Sequence, residues 1–319
     1  MAPVLEVSGL STVFHTRGGT VRAVQDMSFS VEPGELLAVV GESGCGKTMM
    51  ALSLMRLIPS PPGKIVAGSV RVAGTDLLTL DEAAMRKARG SEIAMIFQEP
   101  MTALNPLLTV GRQISEMVAL HENVSGKAAR ERAVEMLHHV RIPEPRRRAG
   151  EYPHQMSGGM RQRAMIAMAL ACKPKVLIAD EPTTALDVTI QAQVLDLIDD
   201  LRQEMGTAVV LITHDLGVVA EVADRMIVMY AGRKVEEGGI GDLFADPKHP
   251  YLRGLLASVP RIGQPKRLQE IAGTVPPLSN LPPGCAFAPR CPSAIDTCRD
   301  TMPGLEPKRP NHLAACWVS

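Results

Sequence analysis

The sequence predicts an α/β protein whose central core carries an antiparallel β layer on its N-terminal side, a helical insert and a small C-terminal extension. Three observations lead there. Short apolar runs bounded by turn residues alternate with stretches of helical periodicity through the middle of the chain. One of those runs passes through a glycine-rich loop straight into a helical stretch. Beyond Gly239 the composition shifts toward proline and glycine, and four of the six cysteines gather there. The 319 residues suffice for one large domain and a smaller one, here 1–240 and 241–319, with the helical insert at about 104–170.

Leu5 to Phe14 and Val21 to Glu32 alternate in polarity and read as strands of the antiparallel layer. Leu36 to Val40 is a buried strand, and Met49 to Ile58 continues in helix formers. Between them, Gly41-Glu-Ser43-Gly44-Cys45-Gly46-Lys47-Thr48 has the form GxxxxGK[ST] in the strand, loop, helix setting that a phosphate loop requires. Its glycines let successive backbone N–H groups turn toward a β-phosphate, and the helix N-terminus adds partial positive charge. Lys47 is then placed to reach the β and γ oxygens and the Thr48 hydroxyl to ligate Mg²⁺. Cys45 lies beside Lys47 at a helix N-terminus, a setting expected to favour its thiolate; a small buried residue is the alternative.

Ile93 to Phe97 is the next core strand, and helical periodicity covers Val110 to Leu120, Ala128 to Val140 and Met160 to Ala171. Ser157-Gly158-Gly159 opens the last of these. A hydroxyl, free N–H groups and a helix dipole together make a second anion site, suited to a γ-phosphate. Val176 to Ala179 is a strand ending in adjacent carboxylates, which places Asp180 to bind Mg²⁺ and Glu181 to polarise an attacking water. An amphipathic helix over Ile190 to Met205 and strands over Ala208 to Thr213 and Met226 to Tyr230 complete the core.

Composition excludes several classes. Lys plus Arg and Asp plus Glu both number 34, which argues against a nucleic-acid polyanion as the main partner. No run approaches 18 apolar residues and the N-terminus lacks a secretory pattern, so a cytosolic chain is expected. In such a compartment thiols are metal ligands or free groups more often than disulfides.

Met156-Ser-Gly-Gly-Met-Arg-Gln-Arg-Ala-Met-Ile-Ala-Met-Ala-Leu170 resembles the signature of ABC ATPases. Other stations agree: Gln98 in Ile96-Phe-Gln-Glu-Pro100 resembles the Q-loop, Ala185-Leu-Asp187 the D-loop, and His214 in Leu211-Ile-Thr-His-Asp215 the switch histidine. The resemblance implies an ABC-type P-loop NTPase core, with Glu181, His214 and Gln98 catalytic, and Thr48, Gln98 and Asp180 around Mg²⁺. It also implies that Ser157, Gly158, Gly159 and Asp187 act on nucleotide held by a second ATPase subunit, because this chain has one phosphate loop and one signature. The family stacks adenine on an aromatic upstream of the phosphate loop, for which Phe14 is the candidate; a core phenylalanine is the equal alternative. Met156 in place of leucine and Thr48-Met-Met in place of a serine-led continuation depart from the family pattern without removing a catalytic group.

Cys285, Cys291, Cys298 and Cys316 fall within 32 residues at intervals of five, six and seventeen. They suit a tetrahedral thiolate site for zinc or an iron–sulfur cluster, and the spacing itself selects neither. His249-Pro-Tyr251, the proline-rich linker and this cysteine pattern resemble the C-terminal extension of oligopeptide and dipeptide importer ATPases, as do Tyr152-Pro-His-Gln155 and Asp180 to Gln193. That resemblance implies a [4Fe-4S] cluster on the four cysteines, with zinc or free thiols as alternatives, shaping the extension rather than acting on ATP.

It also implies an ATPase subunit on the cytoplasmic face of the inner membrane, in a heterodimer with a second ATPase, under two transmembrane permeases fed by an extracytoplasmic binding protein. The loop from Glu99 to Pro106 would pass motion to the permease. The expected cargo is di- or oligopeptides; nickel chelates, opines and oligosaccharides are alternatives for the same machinery. An ATP-gated redox or iron sensor is a separate reading, and a soluble ABC ATPase of DNA repair or translation is disfavoured by the absence of a tandem repeat or basic surface.

Overall fold

The computed structural model describes residues 2–99, 103–184, 187–259 and 270–319. It divides into two compact units, one of Met1–Glu6, Ser30–Glu35 and Val70–Leu211, the other of Val7–Phe29, Leu36–Ser69 and Ile212–Ser319. The strands in chain order are β1 (Leu5–Thr16), β2 (Gly19–Val31), β3 (Leu36–Val40), β4 (Gly63–Val72), β5 (Thr75–Asp76), β6 (Ile93–Ile96), β7 (Val176–Asp180), β8 (Ala208–Ile212), β9 (Arg225–Tyr230), β10 (Arg233–Gly239), β11 (Glu306–Arg309) and β12 (His312–Ala314).

In the first unit β8, β7 and β6 are successive neighbours, and β6 runs parallel to β7 with Ile93 opposite Val176 and Ile96 opposite Ala179. Every residue of β7 and β8 is buried, as expected of parallel strands covered on both faces, whose sequences are unbroken apolar runs rather than alternating ones. The helical part consists mainly of Val110–His121, Gly126–His139 and Gly158–Leu170, packed on one another. Ser125 and Ser157 start the second and third of these by accepting N–H bonds from Ala128 and Met160, satisfying donors that a helix start leaves open.

In the second unit β1 and β2 form a hairpin through Arg17 and Gly18, and β1 is flanked on its other side by β4. A Cβ on Gly68 would lie 2.5 Å from the Leu10 Cα, so the close approach of β4 to β1 requires glycine there. The other sheet segment runs β11, β12, β10, β9, β3. β3 and β9 are parallel, and the remaining pairs are antiparallel. The C-terminal extension therefore adds strands to the sheet that holds β3.

A fully buried carboxylate ties these parts together. Glu236 of β10 accepts the backbone N–H groups of Lys248 at 2.6 Å and His249 at 2.8 Å, and its Oε1 lies 2.7 Å from His312 Nε2 on β12. Burying such a group is costly unless it is bonded, and three partners meet that cost. His249 in turn caps the Pro250–Ala257 helix, its Nδ1 accepting the Tyr251 N–H at 3.1 Å. Nearby, Tyr230, Tyr251 and Phe287 form one aromatic cluster with ring centroids 4.6–5.4 Å apart. The chain has only five Phe, three Tyr and one Trp, so this is its main aromatic core. Trp317, by contrast, lies 39 % exposed with its indole N–H on the Thr301 carbonyl.

Burial pushes the His249 imidazole down to about 4 from 6.5, with Arg253 adding to the effect. Between these values the unfolded chain binds the proton and the folded chain does not. Stability is therefore full above about 6.5, is lost as pH falls toward 4, and the total is on the order of 3 kcal/mol. Chemical denaturation at several pH values should show this slope, and His249→Asn, which keeps a helix cap without a titrating group, should flatten it.

Candidate functional site

The glycine-rich loop is pressed against neighbouring backbone on both sides. A Cβ on Gly41 would meet the Met229 carbonyl oxygen at 2.3 Å, and one on Gly46 would meet that of Ala23 at the same distance. Gly46 also has φ +106, in the left-handed region, immediately before the Lys47–Leu54 helix. The loop is pinned by the Gly232 N–H, which donates to the Cys45 carbonyl at 2.8 Å. Lys47 is 5 % exposed, and its ammonium donates to the Gly41 and Glu42 carbonyls at 2.6 and 3.1 Å. Ser43 and Gly44 are exposed, leaving the loop crest open to a ligand.

The expectation for Cys45 needs correction. Its side chain is fully buried, and burial raises the thiol pKa; Lys47 pulls the other way but less strongly. The thiol therefore stays protonated, and the residue serves the loop as a small buried group.

In the first unit, two of the expected catalytic residues meet directly. Gln98 Nε2 donates to Glu181 Oε2 at 2.9 Å, and the Thr184 hydroxyl donates to the same oxygen at 2.9 Å. Glu181 has φ +45, an uncommon conformation for a residue with a side chain, which costs of order 1 kcal/mol and is typical of functional positions. Asp180, one residue earlier, is 1 % exposed at the strand end. Gln162, four residues into the signature helix, donates to the Pro182 carbonyl and so ties that helix to the turn after Glu181. The sequence assigns no role to Gln162 or Thr184, since the first acts through a contact 20 residues away and the second through the local turn after Glu181.

Ser157 and Gly158 are exposed at the start of their helix, and Gly159 faces Ile190, where a Cβ would lie 3.1 Å away. Asp187 caps the Val188–Met205 helix through the Ile190 N–H at 2.9 Å. Ala185 and Leu186 of the same loop, and Pro100 to Thr102 of the Glu99–Pro106 loop, lie outside the described residues. In the second unit, Thr48 is half-buried in the first turn of the Lys47–Leu54 helix. His214 is exposed, directly before Asp215, which caps Leu216–Val222. Phe14 is half-buried on β1 with its ring against Gly63.

All six cysteines are free thiols, and the four in the extension are grouped. Cys285 is under the electrostatic influence of Cys298 and Cys291, and Cys291 under that of Cys316 and Cys298. Burial raises the pKa of both Cys285 and Cys291. Against it, the nearby backbone of Phe287 and Ala288 lowers that of Cys285, and the backbone of Ser293 lowers that of Cys291. Among the described residues no group of three or more His, Cys, Asp or Glu side chains is disposed to hold a single metal ion.

Residues 24–184 match the ABC transporter family, and residues 235–298 match the oligopeptide/dipeptide transporter C-terminal region. The chain belongs to the ABC transporter ATPase family. It is 58 % identical over 318 residues to the "Probable peptide ABC transporter ATP-binding protein y4tR" of Sinorhizobium fredii, covering 99 % of this chain and 95 % of that one. It is 52 % identical to the oligopeptide transport ATP-binding protein AppD of Bacillus subtilis, covering 100 % and 97 %, and 51 % identical to the dipeptide transport ATP-binding protein DppD of the same organism, covering 100 % and 95 %. Among solved structures, a dimeric ATP-binding cassette in a post-hydrolysis state bound to ADP and Pi has a TM-score of 0.66 at 29 % identity, over 74 % of this chain and 98 % of that one. The chain is accordingly an ATP-hydrolysing subunit that uses ATP and Mg²⁺. Among the described residues no helix is long and apolar enough to cross a membrane.

Because Cys45 is buried and protonated, N-ethylmaleimide should leave it unmodified in the folded chain near neutral pH, with or without MgATP. Peptide mapping by mass spectrometry checks this, and rapid labelling of Cys45 before unfolding would contradict it.

Proposed function

We propose that this ABC transporter ATPase powers the import of di- or oligopeptides from the cytoplasmic face of the membrane. The observation that carries the cargo reading is that the likeness to peptide-transport ATPases runs the full length of the chain, including the oligopeptide/dipeptide region at 235–298. The subunit would lie peripherally under two permeases supplied by an extracytoplasmic binding protein. The Glu99–Pro106 loop would transmit its motion. Close by in the helical part, exposed Leu107 borders a cavity of about 450 Å³ that also involves Arg112, Arg130 and Tyr152, a surface suited to a permease segment.

In this reading the backbone N–H groups of the Gly41–Gly46 loop other than that of Glu42, together with the helix start, cradle the β-phosphate. Lys47, held on two neutral carbonyls, transfers its donors to charged phosphate oxygens, a stronger bond for an ammonium. Thr48, Gln98 and Asp180 offer the oxygen donors that Mg²⁺ prefers, and the ion would supply charge neutralisation on the phosphates. Glu181 takes a proton from the attacking water. The Gln98 and Thr184 bonds to Oε2 hold its carboxylate in place for that task. His214 contacts the γ-phosphate side, Phe14 stacks the adenine, and Ser157, Gly158, Gly159 and Asp187 serve nucleotide on a second ATPase subunit in a heterodimer. The domains divide at 1–240 and 241–319, with the helical part at about 104–170.

The four cysteines of the extension we assign to a [4Fe-4S] cluster. Cys285, Cys291, Cys298 and Cys316 lie near enough to act on one another electrostatically, and four sulfurs meet the ligand number. Zinc is the alternative occupant.

Glu181→Gln should lower ATPase turnover by roughly 100-fold or more in the assembled transporter while ATP binding persists, as expected when a general base is removed. Near-normal turnover would remove Glu181 from that role. Anaerobically purified protein should be brown, and Cys291→Ser should bleach it and make residues 280–319 more sensitive to protease. A colourless protein with one equivalent of zinc would replace the cluster with zinc, and an unchanged digestion pattern would remove the structural role.

A further inference from the structure

Residue 42 ties the phosphate loop to distant parts of the chain. Glu42 lies between Gly41 and Ser43, and its backbone N–H does not face the loop interior but donates to the Tyr251 hydroxyl at 2.7 Å. Its carboxylate is taken by Arg290, whose two terminal nitrogens donate to Oε2 at 2.6 Å and Oε1 at 3.0 Å. The same guanidinium also donates to the Ala272 carbonyl at 3.0 Å, the Ile271 carbonyl at 3.2 Å and the Tyr230 hydroxyl at 3.3 Å. All five of its donors are thus used, and the Arg290 side chain is only 4 % exposed. A fork so fully bonded has lost the rotamer freedom that makes surface ion pairs weak, and its two bonds to Glu42 fix the position of the carboxylate and its orientation.

The partners come from distant parts of the chain. Tyr251 is the third residue of His249-Pro-Tyr251, whose helix is started by the His249 cap. Arg290 lies between Cys285 and Cys291, and its guanidinium packs over the Tyr230 and Phe287 rings, each centroid 5.9 Å away. Tyr230 in turn follows Met229, whose carbonyl already excludes any side chain at Gly41. Glu42 is therefore gripped at its backbone by one element of the extension and at its side chain by another.

We propose that the C-terminal extension is a brace for the phosphate loop, with Arg290 and Tyr251 as positioning residues that hold Glu42 so that the neighbouring N–H groups stay preorganised for the nucleotide phosphates. The proposal rests on the reading of residues 41–48 as the phosphate cradle. It makes the extension a part of the nucleotide site, and it couples the segment carrying Cys285 and Cys291 to ATP affinity. Lys47 belongs to the same arrangement, since one of its bonds is to the Glu42 carbonyl.

A double-mutant cycle on equilibrium binding of MgATP and MgADP to the full chain tests this. Arg290→Met and Glu42→Gln should each weaken both nucleotides by roughly tenfold, and the double variant should be no weaker than the worse single one, because all three lose the same contact. Tyr251→Phe, which removes only the hydroxyl, should weaken binding in the same direction with an unchanged melting profile of the extension. Lys47→Ala tests the cradle reading separately. If Lys47→Ala abolishes binding while Arg290→Met, Glu42→Gln and Tyr251→Phe all bind like the parent, the brace is wrong and the cradle stands. If Lys47→Ala also binds normally, the cradle reading fails. Should Arg290→Met unfold the extension, Glu42→Gln and Tyr251→Phe still decide the matter, and additive losses in the cycle would overturn the coupling.

Discussion

The second unit depends on how closely backbone approaches backbone around residues 41–46. Gly41 touches the end of β9, Gly46 touches β2, and the turn between β9 and β10 bonds the carbonyl of Cys45. No side chain fits at either glycine, so the loop can take only the course set by three strands. That course is fixed by hard contact rather than by the loop's own preferences. The buried Glu236 bracket and the aromatic cluster act behind this contact, since they hold β10, the His249 turn and the extension against the strands that form the loop's walls.

Elements dominated by one strong local signal were legible. β3, β7, β8 and β9 appear as unbroken apolar runs, the phosphate loop as spaced glycines, and the Asp180-Glu181 pair as a strand terminus. Gln98 and His214 were reached only through resemblance, because a lone glutamine or histidine carries no periodic signal. β4 was missed because Gly63 and Gly68 interrupt its pattern, although Gly68 is required by the close approach to β1. β10, β11 and β12 were missed because charged residues such as Arg233, Lys234, Glu236, Glu306 and Lys308 obscure their strand character.

The functional contacts that escaped the sequence share one property. Glu42 and Tyr251 are 209 positions apart, and Glu42 and Arg290 are 248 apart. Charge and ring type alone gave no means of joining them. Cys45 illustrates the reverse error. Its neighbours do act on it as expected, with Lys47 lowering the thiol pKa, but burial is the larger effect and a sequence cannot weigh the two. Glu181 adds a further limit, since its left-handed backbone is invisible in residue identity and is imposed by the turn that Thr184 and Gln162 close around it.

The placement of Trp317 gives the molecule an optical asymmetry. The chain has a single indole, and it stands at the far end of the extension, partly in water and bonded to the Thr301 carbonyl. The tyrosines beside the phosphate loop absorb but emit weakly by comparison with indole. Intrinsic fluorescence is thus a local signal of the last twenty or so residues, so that light emitted by the unlabelled protein reports the end of the extension.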